Sequence, residues 1–175
     1  MSENLILRAI VQRAKNAEVT IEKKSQGFME NGLLVLLGIG FKETAETIPE
    51  EAVISIVEKY YPAIEKLLDK IINLRIFEDE HGKMNLSILD TKGSLYIVSQ
   101  FTLFGDCRKG NRPSFTLSAK PSIAEPMYQK FVDLAKKKLE AKKVLTGVFA
   151  ANMQVSFCND GPVTLIIEST LKGIM

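Results

Sequence analysis

Residues Met153–Ser169 read MQVSFCNDGPVTLIIES, and the fold turns on the six residues in the middle, Asn159–Thr164. Both flanks, MQVSF and VTLIIES, have the apolar, β-branched and aromatic character of strands. Between them Asp160–Gly161 is a turn signal, and Pro162 has no N–H to give to a strand ladder. The local reading is two strands about a turn. Gly161 admits backbone angles closed to other residues. X–Pro bonds are cis in only about 5% of cases in folded proteins, so local rules favour a trans Gly161–Pro162 bond. Either this is an ordinary hairpin turn, or a Gly–Pro unit is held there for a purpose.

Outward from this stretch, Gly93–Phe104, GSLYIVSQFTLF, is the strongest strand signal in the chain. Gly32–Gly40, GLLVLLGIG, is a glycine-bounded apolar run of the kind buried on both faces. LILRAIVQRA from Leu5 and AEVTIEKK from Ala17 read as two further strands, and Leu74–Leu89 as strand, turn, strand. Pro49 with Glu50 and Glu51 opens a helix. Pro62 splits it into one helix to about Tyr60 and another over about Ala63–Asn73. The second carries Ile64, Leu67, Leu68, Ile71 and Ile72 on one face. A polar loop runs from Gly105 to Pro121. Ser122 and Glu125 have capping-box spacing for a helix from about Ile123, with Pro126 tolerated in its first turn. The order predicts an α/β fold, with helices on one side of a mixed sheet and a second sheet or barrel-like layer on the other.

The chain has 175 residues, 46% of them apolar, which suits one domain with a real core and excludes a disordered chain. No apolar run reaches the roughly 18 residues of a membrane helix, and MSENLILRAI lacks the marks of a signal peptide. Cys107 and Cys158 show no framework spacing, so a reduced, cytoplasmic protein is expected. The net charge of +2 does not mark a nucleic-acid binder, although RKGNR (Arg108–Arg112) and KKKLEAKK (Lys136–Lys143) are locally basic. Each of these runs is either a solvated surface or a contact. The single histidine, His81, lies in a turn signal, EDEHGK. A Ser-His-Asp triad or a His/Cys metal cluster has almost nothing to draw on, so no metal or cofactor is expected. Any catalysis must rest on hydroxyls, carboxylates, backbone groups or the substrate.

Ser99–Leu103, SQFTL, offers two hydroxyls and an amide beside a glycine. On a regular strand Ser99 and Phe101 share one face while Gln100 and Thr102 share the other. Either the polar pair points to solvent, or the strand end lines a cleft and its free N–H groups form an oxyanion hole.

SQFTL, then GNRPSF (Gly110–Phe115), then NDGPVT, in this order and spacing, resemble the D-aminoacyl-tRNA deacylases. VQRAKNAEVTIE (Val11–Glu22) looks like that family's opening hairpin, GLLVLLGI its buried strand, and RIFEDEHGKMNLSI (Arg75–Ile88) its next hairpin. The resemblance covers nearly the whole chain. It implies a three-layer α/β/β mixed-sheet domain over residues 1–175, without cofactor, working as a two-fold homodimer. It implies hydrolysis of the ester joining a D-amino acid, or glycine, to the 3′ end of tRNA. The Gly161–Pro162 bond is then cis and enters the partner's pocket, where it excludes an L side chain. Ser99, Phe101 and Thr102 carry the catalytic role, with Gln100, Ala124, Phe149 and Met153 binding substrate. Backbone amides near Phe101 and Thr102 stabilise the oxyanion, and the terminal ribose 2′-hydroxyl assists water. A non-catalytic nucleic-acid-binding homodimer is the alternative.

Two departures stand out. FAANM (Phe149–Met153) has Ala150 where the family usually has glycine, and the helical region from about Thr44 to Lys70 is longer than in short bacterial members. The added methyl is expected to narrow the approach to the site or shift the backbone. The extra helix is expected to pack or decorate away from the three motifs.

Overall fold

The computed structural model describes residues 3–175. A six-stranded mixed sheet is built from β1 (Leu5–Ile21), β2 (Lys24–Phe41), β5 (Ser94–Ser99), β6 (Val144–Thr146), β7 (Gln154–Thr170) and β8 (Gly173–Ile174). Their order across the sheet is β6-β5-β2-β1-β7-β8. β2, β5 and β6 run parallel, and the other pairings are antiparallel. A separate hairpin joins β3 (Phe77–Glu78) to β4 (Met84–Leu86). Three helices complete the chain: α1 (Val53–Ile72), the single turn α2 (Ile88–Thr91) and α3 (Pro121–Lys138).

α1 and α3 pack against each other and over one sheet face. Leu7, Ala9, Val11, Val35 and Leu37 of that face meet Ile64, Leu67 and Phe131 of the helices in the main core. A smaller cluster, with Leu34, Tyr96, Val98, Val19 and Met29, fills the other side, where the long strands curl. This is the expected mixed α/β architecture.

Several elements differ from the sequence reading. The two strands expected over residues 5–24 are one strand, β1; Asn16 (φ 52°) marks a register shift, not a turn. The reversal into β2 comes at Glu22–Lys23, both with positive φ (50° and 65°). Pro62 does not break α1. It sits on the solvent side, so only the outward carbonyl of Glu58 loses its donor while Tyr60, Ala63 and Ile64 stay buried. α1 is core packing, with nine buried residues. α3 starts at Pro121 with Lys120 as its N-cap and no side-chain cap, so Ser122–Glu125 is not a capping box. Pro at the first helical position makes that start. The real capping box is Ser87–Asp90, which begins α2 where a strand was expected.

The expected hairpin at NDGPVT is also absent. The chain does not reverse: both halves of β7 pair with β1, with Gln12 opposite Thr164 and Ala14 opposite Asn159. Residues 160–163 bulge out opposite Arg13 alone.

Candidate active site

The strand reading of SQFTLF holds only as far as Ser99. The last ladder bond runs from the Gln100 N–H to the Leu37 carbonyl (2.9 Å), and Phe101–Phe104 then form a 3₁₀ turn. Gly38 and Gly40 of β2 are the reason. A Cβ on Gly38 would lie 2.8 Å from the Gln100 carbonyl oxygen, and one on Gly40 would lie 2.4 Å from the Phe104 ring. Their bare backbone forms a shelf on which the turn lies.

Three further contacts fix the turn. Phe104 is buried beneath it, with the Arg8 guanidinium 4.6 Å from the ring centroid. Arg8 Nη1 donates to the Leu103 carbonyl at 2.6 Å, while its Nε pairs with Glu168. Ser118 Oγ donates to the Phe101 carbonyl at 3.0 Å. Within the turn, Leu103 N–H reaches back to Gln100 and Gly105 N–H to Thr102. The N–H groups of Phe101 and Thr102 stand at its open start, where a helical turn supplies no acceptor.

Beside this start lies a cleft of about 630 Å³ beyond the carboxyl ends of the parallel strands β5 and β6, with Leu37–Ile39 of β2 running along it. That is where open α/β sheets bind ligands. Of the residues singled out from the sequence, Ser99, Gln100, Phe101, Ala124, Phe149 and Met153 all line it. Thr102 does not; it is exposed, and its Oγ1 accepts a hydrogen bond from Gln100 Nε2. Gly161 and Pro162 do not line it either. They stand exposed at the tip of the β7 bulge. Phe115, Ser118 and Lys120, from the loop between the turn and α3, form part of the wall and were not singled out from sequence. Phe101 and Phe115 meet edge to face, with ring centroids 5.2 Å apart.

Lys120 is the one titratable side chain on the wall; among the described residues no carboxylate, histidine or cysteine lines it. His81 lies exposed in the β3–β4 turn, 3.5 Å from Glu80. Tyr128 backs the wall, donating to the Ile97 carbonyl at 3.0 Å; burial pushes its phenol far above the ordinary tyrosine range, so it stays protonated. No cluster of three metal-ligating side chains occurs among the described residues. What the cleft offers is apolar surface, two hydroxyls, one cation and open backbone donors.

Ala150, also on the wall, has φ 59°. This is the left-handed region, which disfavours any residue with a Cβ. The departure at this position is thus a strained backbone as well as an added methyl. Ala150→Gly is expected to raise stability by about 0.5–1 kcal/mol, or roughly 1–4 °C in a thermal melt. An unchanged or lowered Tm would mean the loop does not hold this angle in solution.

The β7 bulge is stapled at its base. Asn159 Oδ1 accepts from the Val163 N–H (3.2 Å) and its Nδ2 donates to Thr164 Oγ1 (2.8 Å). From below, Arg13 Nε donates to the Asp160 carbonyl (3.0 Å) and its guanidinium pairs with the Asp160 carboxylate at 3.3 Å. Gly161 has φ 127°, open to glycine and strained for other residues, and the Gly161–Pro162 bond is cis, where local rules favoured trans.

A mixed sheet with a cleft at the ends of its parallel strands, over a turn with open donors, defines an α/β ligand-binding fold. The family model described as D-Tyr-tRNA(Tyr) deacylase matches residues 10–168, and the chain belongs to that family. It is 55% identical over 163 residues to a D-aminoacyl-tRNA deacylase of Thermosipho africanus, covering 93% of this chain and 97% of that protein. It is 46% identical over 164 residues to the deacylase of Thermotoga petrophila, covering 94% and 98%. Among solved structures it is similar to a c-Myc DNA unwinding element binding protein (TM-score 0.76, 36% identity, 91% of this chain and 96% of that one). A probable eukaryotic D-amino acid tRNA deacylase shares the fold at 14% identity (TM-score 0.73, 93% and 99%).

Proposed function

We propose that this protein hydrolyses the ester between a D-amino acid and the 3′-terminal adenosine of tRNA in the cytoplasm, and acts on glycyl-tRNA as well. The observation that carries the reading is the cleft itself: an apolar wall, no side-chain acid or base other than Lys120, and the open N–H groups of Phe101 and Thr102 at its edge. Such a site suits an activated ester better than an amide, because the alcohol leaving group needs little protonation. Water adds to the ester carbonyl carbon, and the developing oxyanion accepts from the Phe101 and Thr102 N–H groups. The ribose 2′-hydroxyl of the substrate accepts the water's proton as it passes its own to the departing 3′-oxygen. The C–O bond then breaks, and the 3′-oxygen leaves as the hydroxyl of free tRNA.

Chirality is read by exclusion, with Gly161–Pro162 of a partner subunit standing where an L side chain would project. This requires a homodimer. Support comes from the exposed tip, and from Ile166, which is 69% exposed on the open face of the sheet. Sedimentation showing only a monomer would remove the partner from the mechanism.

The decisive assay compares D-tyrosyl-tRNA with L-tyrosyl-tRNA. Release of D-tyrosine with the L-isomer spared is expected; equal hydrolysis of both, or of neither, would overturn the reading. Thr102→Ala is expected to keep kcat within about threefold, since no base stands near its hydroxyl to make it a nucleophile. A loss of a hundredfold or more would restore the hydroxyl to the chemistry.

A further inference from the structure

The loop between the 3₁₀ turn and α3 is the most one-sidedly charged surface beside the cleft. From Cys107 to Ala124 there are four cations, Arg108, Lys109, Arg112 and Lys120, and no carboxylate. The two basic runs seen in the sequence fare differently in the fold. In KKKLEAKK, Lys138 pairs with Glu65 and Asp69, Lys142 with Glu140, and Lys143 donates to the Lys92 carbonyl. That run is largely committed to the protein's own surface.

RKGNR is built the other way. Asp106 and Ser114 exchange backbone hydrogen bonds (2.7 and 2.9 Å), closing a tight loop whose base abuts Gly105 and Phe115. Phe115 is itself cleft wall, so the loop rises directly from the rim. Arg108 is bound to the Asp106 carboxylate at 2.8 and 2.7 Å and stiffens the loop. Lys109 and Arg112 form no salt bridge among the described residues, and both are exposed. Lys120 continues the cationic line down into the cleft.

We propose that the Asp106–Ser114 loop is a phosphate-binding rim. Lys109 and Arg112 neutralise phosphodiesters of the single-stranded 3′ tail of tRNA just before the terminal adenosine, while Arg108 holds the loop in shape. This assignment rests on the deacylase reading. It adds that recognition of the nucleic acid begins outside the cleft, with charge and not with bases. Phosphate neutralisation releases counterions, so log affinity falls with log salt by about 0.7 for each single-strand phosphate contacted.

The test uses the whole protein and two substrates, D-tyrosyl-tRNA and D-tyrosyl-adenosine, which carries the same ester and no phosphate. With Lys109→Ala/Arg112→Ala at subsaturating D-tyrosyl-tRNA, the log–log salt slope of kcat/KM is expected to shrink by about 1.4. Between about 50 and 200 mM salt the wild type therefore loses about sevenfold more than the double variant. Turnover of D-tyrosyl-adenosine is expected to stay within about twofold, and Lys109→Arg/Arg112→Lys is expected to keep the wild-type slope. Equal salt slopes for wild type and double variant, or equal losses on both substrates, overturn the rim. Wild-type protein that turns over neither substrate overturns the deacylase reading and the rim with it.

Discussion

Gly38→Ala is expected to lower kcat on D-aminoacyl-tRNA by about 100-fold while the protein still folds. Gly38 has no side chain to take part in the proposed chemistry; it lies buried in β2, opposite Arg8, and its backbone forms part of the cleft lining. A methyl group there meets the Gln100 carbonyl oxygen at 2.8 Å, the Phe104 ring at 3.1 Å and Leu103 Cβ at 3.3 Å. The first of these is backbone, so relief comes by lifting the start of the 3₁₀ turn off its shelf. Overpacking of this kind costs about 1–3 kcal/mol of stability. The effect on rate is larger, because a displacement of about 1 Å at the reacting groups costs about a hundredfold. The Phe101 and Thr102 N–H groups move with the Gln100 carbonyl. The measurement is single-turnover hydrolysis of D-tyrosyl-tRNA, beside a thermal melt to establish folding. KM should change little, since the wall formed by Phe149, Met153 and Ala124 comes from elsewhere in the chain. Activity within about threefold of wild type would mean that backbone placement at this turn is not the source of catalysis.

The same shelf explains why the site was only partly legible in the sequence. SQFTLF has strong strand propensity, and nothing local says that the strand stops at Ser99. The stop is set by Gly38 and Gly40, about sixty residues earlier, whose missing side chains let the chain roll over β2. The paired glycines in GLLVLLGIG were the available signal, yet in the sequence they read only as the end of a buried strand. Pro62 misled in the opposite direction. Its local rule is sound, but burial of Tyr60, Ala63 and Ile64 outweighs one lost solvent-side hydrogen bond. The β1–β2 reversal was missed because Glu22–Lys23 lacks the Asn-Gly or Asp-Gly signature of such turns. Hydrophobic pattern marked the core strands and the apolar face of α1 correctly, because burial there depends on period alone. What it does not mark is where β5 and β6 stop while β2 runs on to Phe41, and that is what makes the cleft.

NDGPVT was legible as a motif and misleading as a turn, and the reason is Arg13. With β7 paired to β1 on both sides of the bulge, Arg13 is the β1 residue beneath residues 160–163, and its side chain is only 7% exposed. It donates to two carbonyls, Asp160 (3.0 Å) and Ile76 (2.6 Å), and lies between the carboxylates of Asp160 (3.3 Å) and Glu78 (3.9 Å). The planar guanidinium reaches the β7 bulge and the entry to β3 at once, which an ammonium does not do. Arg13→Ala leaves both carbonyls without this donor, and leaves Asp160 with Lys15 (3.1 Å) as its remaining cation. Asp160 is 31% exposed, so water takes up part of the loss. The expected destabilisation is about 3 kcal/mol, or roughly 6–12 °C in Tm. Arg13→Lys is expected to recover less than half of it. If the Gly161–Pro162 tip reads chirality, loosening its base also erodes selectivity. The ratio of D- to L-tyrosyl-tRNA hydrolysis, measured well below the lowered Tm, is then expected to fall at least tenfold, mainly because the L-isomer gains. The asymmetry is the useful part of the measurement: a merely unstable enzyme loses both rates together, whereas a loosened gate admits the wrong isomer. A variant that melts lower but keeps the wild-type ratio would detach the bulge from selectivity.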